Sequence, residues 1–251
     1  MSEAARPRAG RPRSAPSAPA ALTASAVTPG GPLLAIDTAT ATAVVALGDA
    51  AGTMLDELTW AAGYRHGEEL LIRVDELLDR NGTPIAGIGA IVVGTGPGAF
   101  TGLRVGLATA KALSHALGRP IVGVSTGRAL LASPGAIGVA PSALLLPAGP
   151  TDRVVVLPDG HAELLPGGSE PDLAPGTTIV AVDLDGRAPA DACSRGESAR
   201  AGLGASLLHL GAARLAEGSS DDPAALVPDY VTLPRGIGAA GGEMRWSRDP
   251  R

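Results

Sequence analysis

"VVGTGPGAFTGLRVGLATAKAL", residues 92–113, passes from a β-like apolar string through a run of glycines into a helix carrying only Arg104 and Lys111 as charges. A glycine turn between strand and helix commonly cradles a phosphate on backbone N–H groups. Three readings compete for Gly94-Thr95-Gly96-Pro97-Gly98-Ala99. A Walker-type loop needs Gly-Lys-Ser/Thr to close it, and Thr101-Gly102-Leu103 follows instead. A dinucleotide fingerprint fits Gly94-x-Gly96-x-x-Ala99, but that fold requires an acidic residue about 20 positions on to hold ribose hydroxyls. No Asp or Glu lies between Phe100 and Thr151. The third reading is close packing.

The helix that follows supports packing. Leu103, Leu107, Ala110, Ser114 and Leu117 form a stripe that can cover a sheet, and Thr101 can cap the first turn. Gly102, Gly106, Thr109 and Leu113 form a second, small-residue stripe, with Val105, Ala108 and Ala112 between. A helix apolar nearly all round is buried nearly all round. Burying that second face is worth about 25 cal/mol per Å². Its neighbour is either internal, the helix over 66–80, or a second protein chain as well; a helical packing between subunits is the expectation. A charge at Gly106 or Leu113 is then expected to break it.

Working outward, structure begins at Leu33. "LLAIDTA", "ATAVVALGD" and "GTMLDELTW" read as three strands. "HGEELLIRVDELLDRNG" is a helix whose Leu70, Leu71, Val74, Leu77 and Leu78 share a face, with Glu69–Arg73 and Glu76–Arg80 as i,i+4 pairs and Asn81-Gly82 as its end. "IGAIVVG" and "PIVGV" flank the glycine helix as further strands. That order gives an α/β half with a mixed sheet. Beyond Ser125 the pattern weakens: "ALLLP", "RVVVLP" and "TIVAVDL" read as short strands, "GLGASLLHLGAARLAEG" as a helix, and the Pro/Gly stretches "SPGAIGVAPS" and "LPGGSEPDLAPG" as loops. The predicted organisation is a disordered Ala/Pro/Arg-rich tail over 1–31 (or an over-long start), a first domain over 32–125, a smaller eroded α/β domain over 126–235, and a flexible tail over 236–251.

Composition narrows the function. The 251 residues are 45% hydrophobic but only 2% aromatic, so the core is aliphatic. Arg6, Arg8, Arg11 and Arg13 against Glu3 put +3 on residues 1–31, which leaves −8 of the net −5 on the body. An acidic body with the single lysine Lys111 is a poor match for a phosphate backbone, so any nucleic acid it works on is expected to be held by something else. One cysteine, Cys193, excludes an internal disulfide and suits a reducing compartment. No apolar run approaches the roughly 20 residues that span a bilayer.

The stretches "LLAIDTATATAVVAL", "RHGEELLIRVDELL" and "VGTGPGAFTGLRVGLATAKALSHALGRPIVGVST" resemble the TsaB (YeaZ) family over about residues 33–130, with "LVPDYVTLPR" a weaker echo at Pro228 and Tyr230. The resemblance implies an actin-like (ASKHA, ribonuclease H-like) two-domain α/β fold with mixed sheets and a reduced second domain. It implies a non-catalytic dimerisation subunit of the cytoplasmic machinery that transfers a threonylcarbamoyl group to the N6 amine of a tRNA adenosine beside the anticodon. Its partners would be the catalytic paralogue TsaD and, through that complex, the ATPase TsaE, with a homodimer when alone. The partner surface implied, in agreement with the periodicity, is His66, Leu70, Arg73, Gly98, Thr101, Gly102, Arg104, Val105, Gly106, Thr109 and Leu113. The second domain departs from the pattern: an Asp-Ala-Arg-Arg-like segment and a Glu-Val-Tyr strand are reduced to Asp152-Arg153.

No enzyme chemistry is expected. Actin-like phosphotransferases open on Asp-x-Gly-Thr, whereas this chain has Asp37-Thr38-Ala39-Thr40. Asp37, Thr38 and Thr40 are therefore read as a relic phosphate hairpin or as polar residues bonding a turn. The paralogue's His-x-x-x-His metal pair has no counterpart, since His66, His115, His161 and His209 include no i,i+4 pair, and Ser125 and Thr126 stand in that neighbourhood. "HGEEL" lacks the second histidine of a zinc peptidase motif. No cofactor or metal is expected. The rival readings are an actin-like small-molecule kinase and a dinucleotide-binding enzyme.

Overall fold

The computed structural model describes residues 30–231 except 62, 64–65, 134–141 and 158. The tails predicted over 1–31 and 236–251 thus lie outside the described residues, apart from Gly30 and Gly31, as does most of the loop "SPGAIGVAPS".

Five strands form the first sheet: β1 (Leu33–Asp37), β2 (Thr42–Gly48), β3 (Met54–Ala61), β4 (Ala90–Gly94) and β5 (Ile121–Val124), in the order β3-β2-β1-β4-β5. The first three pair antiparallel, while β1–β4 and β4–β5 are parallel, so the sheet is mixed. Strands β1 and β4 are buried along their whole length, which explains their unbroken apolar sequence. One face carries α1 (His66–Arg80) and α2 (Phe100–Leu117). Leu70, Val74, Leu77 and Leu78 of α1 and Leu107 and Ala110 of α2 meet Leu34, Ile36, Val45, Leu47 and Ile91 there.

The second unit is a four-stranded sheet in the order β8-β7-β6-β9, from β6 (Ser142–Pro147), β7 (Arg153–Val156), β8 (Ala162–Leu165) and β9 (Thr178–Ala181). Between the two sheets lie α3 (Thr126–Leu131) and α5 (Leu203–Ala216), and one apolar cluster joins Leu203, Leu207 and Leu208 to Val92 and Val122 on one side and to Leu144, Val156 and Val180 on the other. This is the α/β, actin-like arrangement expected, with mixed sheets in both halves.

Several local expectations change. The helix over 203–216, read as part of the second domain, packs on β1, β2, β4 and β5 of the first sheet, because its apolar faces bridge both cores. Ala99, not Thr101, stands at the N-cap of α2, with no side-chain cap bond. Arg73 bonds Glu76 at 2.8 Å, an i,i+3 pair within α1, and Arg80 reaches Asp56 on the nearby β3 at 3.2 Å in place of the predicted pair with Glu76. Three short elements carried too little apolar periodicity to be read: α3, β8 and α4 (Ala190–Ala201). The buried side of α4 is Ala192, Gly196 and Ala199, small residues that let it lie close on β9.

Candidate partner interface and the hairpin turn

The glycine turn meets the β1–β2 hairpin tip. A Cβ on Gly98 would stand 2.2 Å from the Ala39 carbonyl oxygen, and one on Gly106 would stand 2.2 Å from Thr38 Oγ1. Both positions need glycine for close approach. Thr38 Oγ1 donates to the Gly102 carbonyl at 2.7 Å, and Ala99 N–H donates to the Ala39 carbonyl at 2.7 Å. Gly102 and Gly106 are buried by this chain's own hairpin. The expectation that they form a surface for a second protein is therefore corrected. The helix does require a neighbour on that side, and an internal turn supplies it.

The hairpin tip is bonded to its own chain. Asp37 is inaccessible to solvent; its Oδ1 accepts from Ala39 N–H at 2.8 Å and its Oδ2 accepts from Thr126 Oγ1 at 2.7 Å. Burial pushes the Asp37 carboxyl up to about 6, against the lowering effect of those two bonds. Thr40 Oγ1 donates to the Thr42 carbonyl at 2.7 Å, and Ala41 N–H donates to Asp183 Oδ2 at 2.7 Å. The amides of Ala39 and Ala41 thus both serve carboxylates of the same chain. Thr126 also accepts from Gly96 N–H at 3.0 Å, tying the glycine turn to the start of α3.

The remaining predicted residues divide by exposure. On α2, Thr101 and Arg104 are exposed, and Val105, Thr109 and Leu113 are half-buried. Arg104 is already engaged: its guanidinium lies 3.8 Å from the Phe100 ring centroid, and its Nε–H donates to Tyr230 Oη at 2.9 Å. On α1, Leu70 is 1% exposed and belongs to the core, which corrects its placement at an interface. Arg73 is half-buried, 5.9 Å from the Trp60 ring centroid. His66 opens α1, and its side chain lies outside the described residues. Leu71 and Ile72 are 53% and 65% exposed, although the periodicity put Leu71 on the core face. They are the apolar residues that sequence reasoning missed as surface.

Phe100 and Tyr230, with ring centroids 5.2 Å apart, wall a cleft of about 480 Å³ between the two units; Pro147, Leu164 and Asp229 also line it. Asp229 accepts from Thr95 Oγ1 at 2.8 Å, and burial holds its carboxyl above the usual range. Among the described residues no group of three or more His, Cys, Asp or Glu side chains could hold a metal ion, and no helix is long and apolar enough to cross a membrane.

Two mixed sheets joined through shared helices, with a bonded hairpin at the start of the first, define an actin-like α/β protein. Comparison with known proteins narrows the class. The family described as tRNA N6-adenosine threonylcarbamoyltransferase (TsaD) matches residues 61–182. The tRNA threonylcarbamoyladenosine biosynthesis protein TsaB of Escherichia coli is 39% identical over 94 residues, 38% of this chain and 40% of that protein. An uncharacterized protein of Mycobacterium leprae is 44% identical over 96 residues, 37% of this chain and 26% of that protein. The solved structure of YeaZ from Pseudomonas aeruginosa superposes with a TM-score of 0.61 at 24% identity, covering 80% of this chain and 99% of that one; at that identity it speaks for the fold. Together these likenesses agree with the resemblance to TsaB (YeaZ) proteins read from the sequence. The matched stretch spans less than half the length of these curated relatives.

Proposed function

We propose that this chain is the non-catalytic scaffold of a tRNA threonylcarbamoyladenosine-forming complex, docking the TsaD transferase and keeping it active. In this reading the transferase moves the threonylcarbamoyl group to the adenosine N6 amine, TsaE joins through the same complex, tRNA is held mainly by the other subunits, and the work is done in the cytoplasm. Alone, the chain pairs with a second copy through the same face.

The observation that carries the reading is the outer side of α1 and α2. Leu71 and Ile72 stand more than half exposed on α1, and α1 lies against α2, which adds half-buried Val105, Thr109 and Leu113. Apolar side chains of this size grouped on adjoining helices mark a contact surface. The bonding of the hairpin supports a non-catalytic role, because its Ala39 and Ala41 amides are not free for phosphate.

The test is co-purification of this chain with the TsaD paralogue of the same organism. Ile72→Asp and Leu113→Asp are expected to weaken the complex by about 30-fold or more, the effect of losing a central apolar contact of about 2 kcal/mol. Melting temperature is read in parallel. Retention of the complex by both variants would remove the interface assignment.

A further inference from the structure

We infer that Asp183 is a built-in clasp: a carboxylate of the second unit, set on the hairpin tip of the first, that holds the two units closed without a ligand. Asp183 follows β9 by two residues and is 142 positions from the amide it binds. Its two oxygens are divided between partners. Oδ2 accepts from the Ala41 N–H at 2.7 Å, and Oδ1 accepts from Arg200 Nη1, on α4, at 3.2 Å. The Asp183 side chain is only 12% exposed, so the contact is set into the joint between the units.

The backbone shows the same constraint. Asp183 has φ +57°, and it is the non-glycine residue with positive φ among the described residues. A side chain in that region costs about 1 kcal/mol and persists where its surroundings hold it. Turn amides of this kind are anion sites. Here Asp37 fills the amide of Ala39 and Asp183 fills that of Ala41, so the charge that closes the two halves belongs to the chain itself. The clasp stands independently of any docking role.

Hydrogen exchange of the full chain, followed by mass spectrometry, tests this. Asp183→Gly keeps φ +57° without strain and deletes the carboxylate; Asp183→Asn keeps an acceptor oxygen but loses the charge pair with Arg200. The expected result is exchange about tenfold faster at residues 38–41 in Asp183→Gly, a smaller increase in Asp183→Asn and in Arg200→Met, and unchanged protection of β2. Unchanged exchange at 38–41 in Asp183→Gly overturns the clasp. A uniform increase across β1, β2 and the tip also overturns it, by making Asp183 a general stabiliser. If Asp183→Gly does not fold, Asp183→Asn decides on the same two outcomes.

Discussion

Thr38 stands over Gly106: its hydroxyl oxygen lies 2.2 Å from the point where a Cβ on Gly106 would stand. That contact explains why a helix inside an apolar stretch keeps a glycine in its middle. It also fixes what the glycine motif of residues 94–106 does, which is to seat α2 on the hairpin tip.

Gly106→Ala is expected to destabilise the chain by about 1–3 kcal/mol, since the added methyl overlaps a hydroxyl that is itself bonded to Gly102. Gly67 in α1 has no atom within 4 Å of the same position, so Gly67→Ala should instead stabilise by about 0.5 kcal/mol through helix propensity. Urea unfolding of the two variants reads both signs.

Asp37 makes stability depend on pH in an unusual direction. Its carboxyl is raised from 3.8 to about 6 on folding, so the folded state binds the proton more tightly than the unfolded chain. The contribution is full below pH 4, falls as pH rises towards 6, and is lost above, a change of about 3 kcal/mol. Asp37→Asn removes the titration. The stability of wild type relative to Asp37→Asn is therefore expected to drop across that window, measured by urea unfolding at successive pH values.

Core and surface leucines on α1 separate stability from association. Leu70 is 1% exposed, so Leu70→Ala should cost about 2–5 kcal/mol of folding free energy. Ile72 is 65% exposed, and Ile72→Ala should change stability by less than about 0.5 kcal/mol. Calorimetry distinguishes them without any partner present.

Arg214 joins the end of α5 to the edge of the first sheet. Its Nη1 donates to the Gly123 carbonyl at 2.7 Å and its Nη2 to Asp221 Oδ1 at 2.9 Å, while Asp221 accepts from Gly123 N–H at 2.7 Å. Arg214→Met leaves the carbonyl and carboxylate short of a donor and is expected to cost about 1–3 kcal/mol. Thermal unfolding should show the loss, and salt should not restore it.

Much of this protein was determined by its sequence alone. The strands of the first sheet and the helix over 66–80 follow from apolar period and end signals, which act between residues a few positions apart. The glycine motif and its flanking stretches carried the family likeness for the same reason. What faces what was decided only by the tertiary structure. Small residues at 98, 102 and 106 state that something approaches closely, but the crossover of β4 beside β1 makes that something the turn at Thr38. Leu71 shared its apolar neighbours' spacing yet stays exposed, because α1 turns Leu70, Val74, Leu77 and Leu78 towards the sheet. Asp183 fell inside "TIVAVDL", a stretch read as a strand, whereas β9 ends at Ala181. Its role came from an amide 142 residues away, and no local pattern encodes a bond whose two ends meet only when both sheets are assembled.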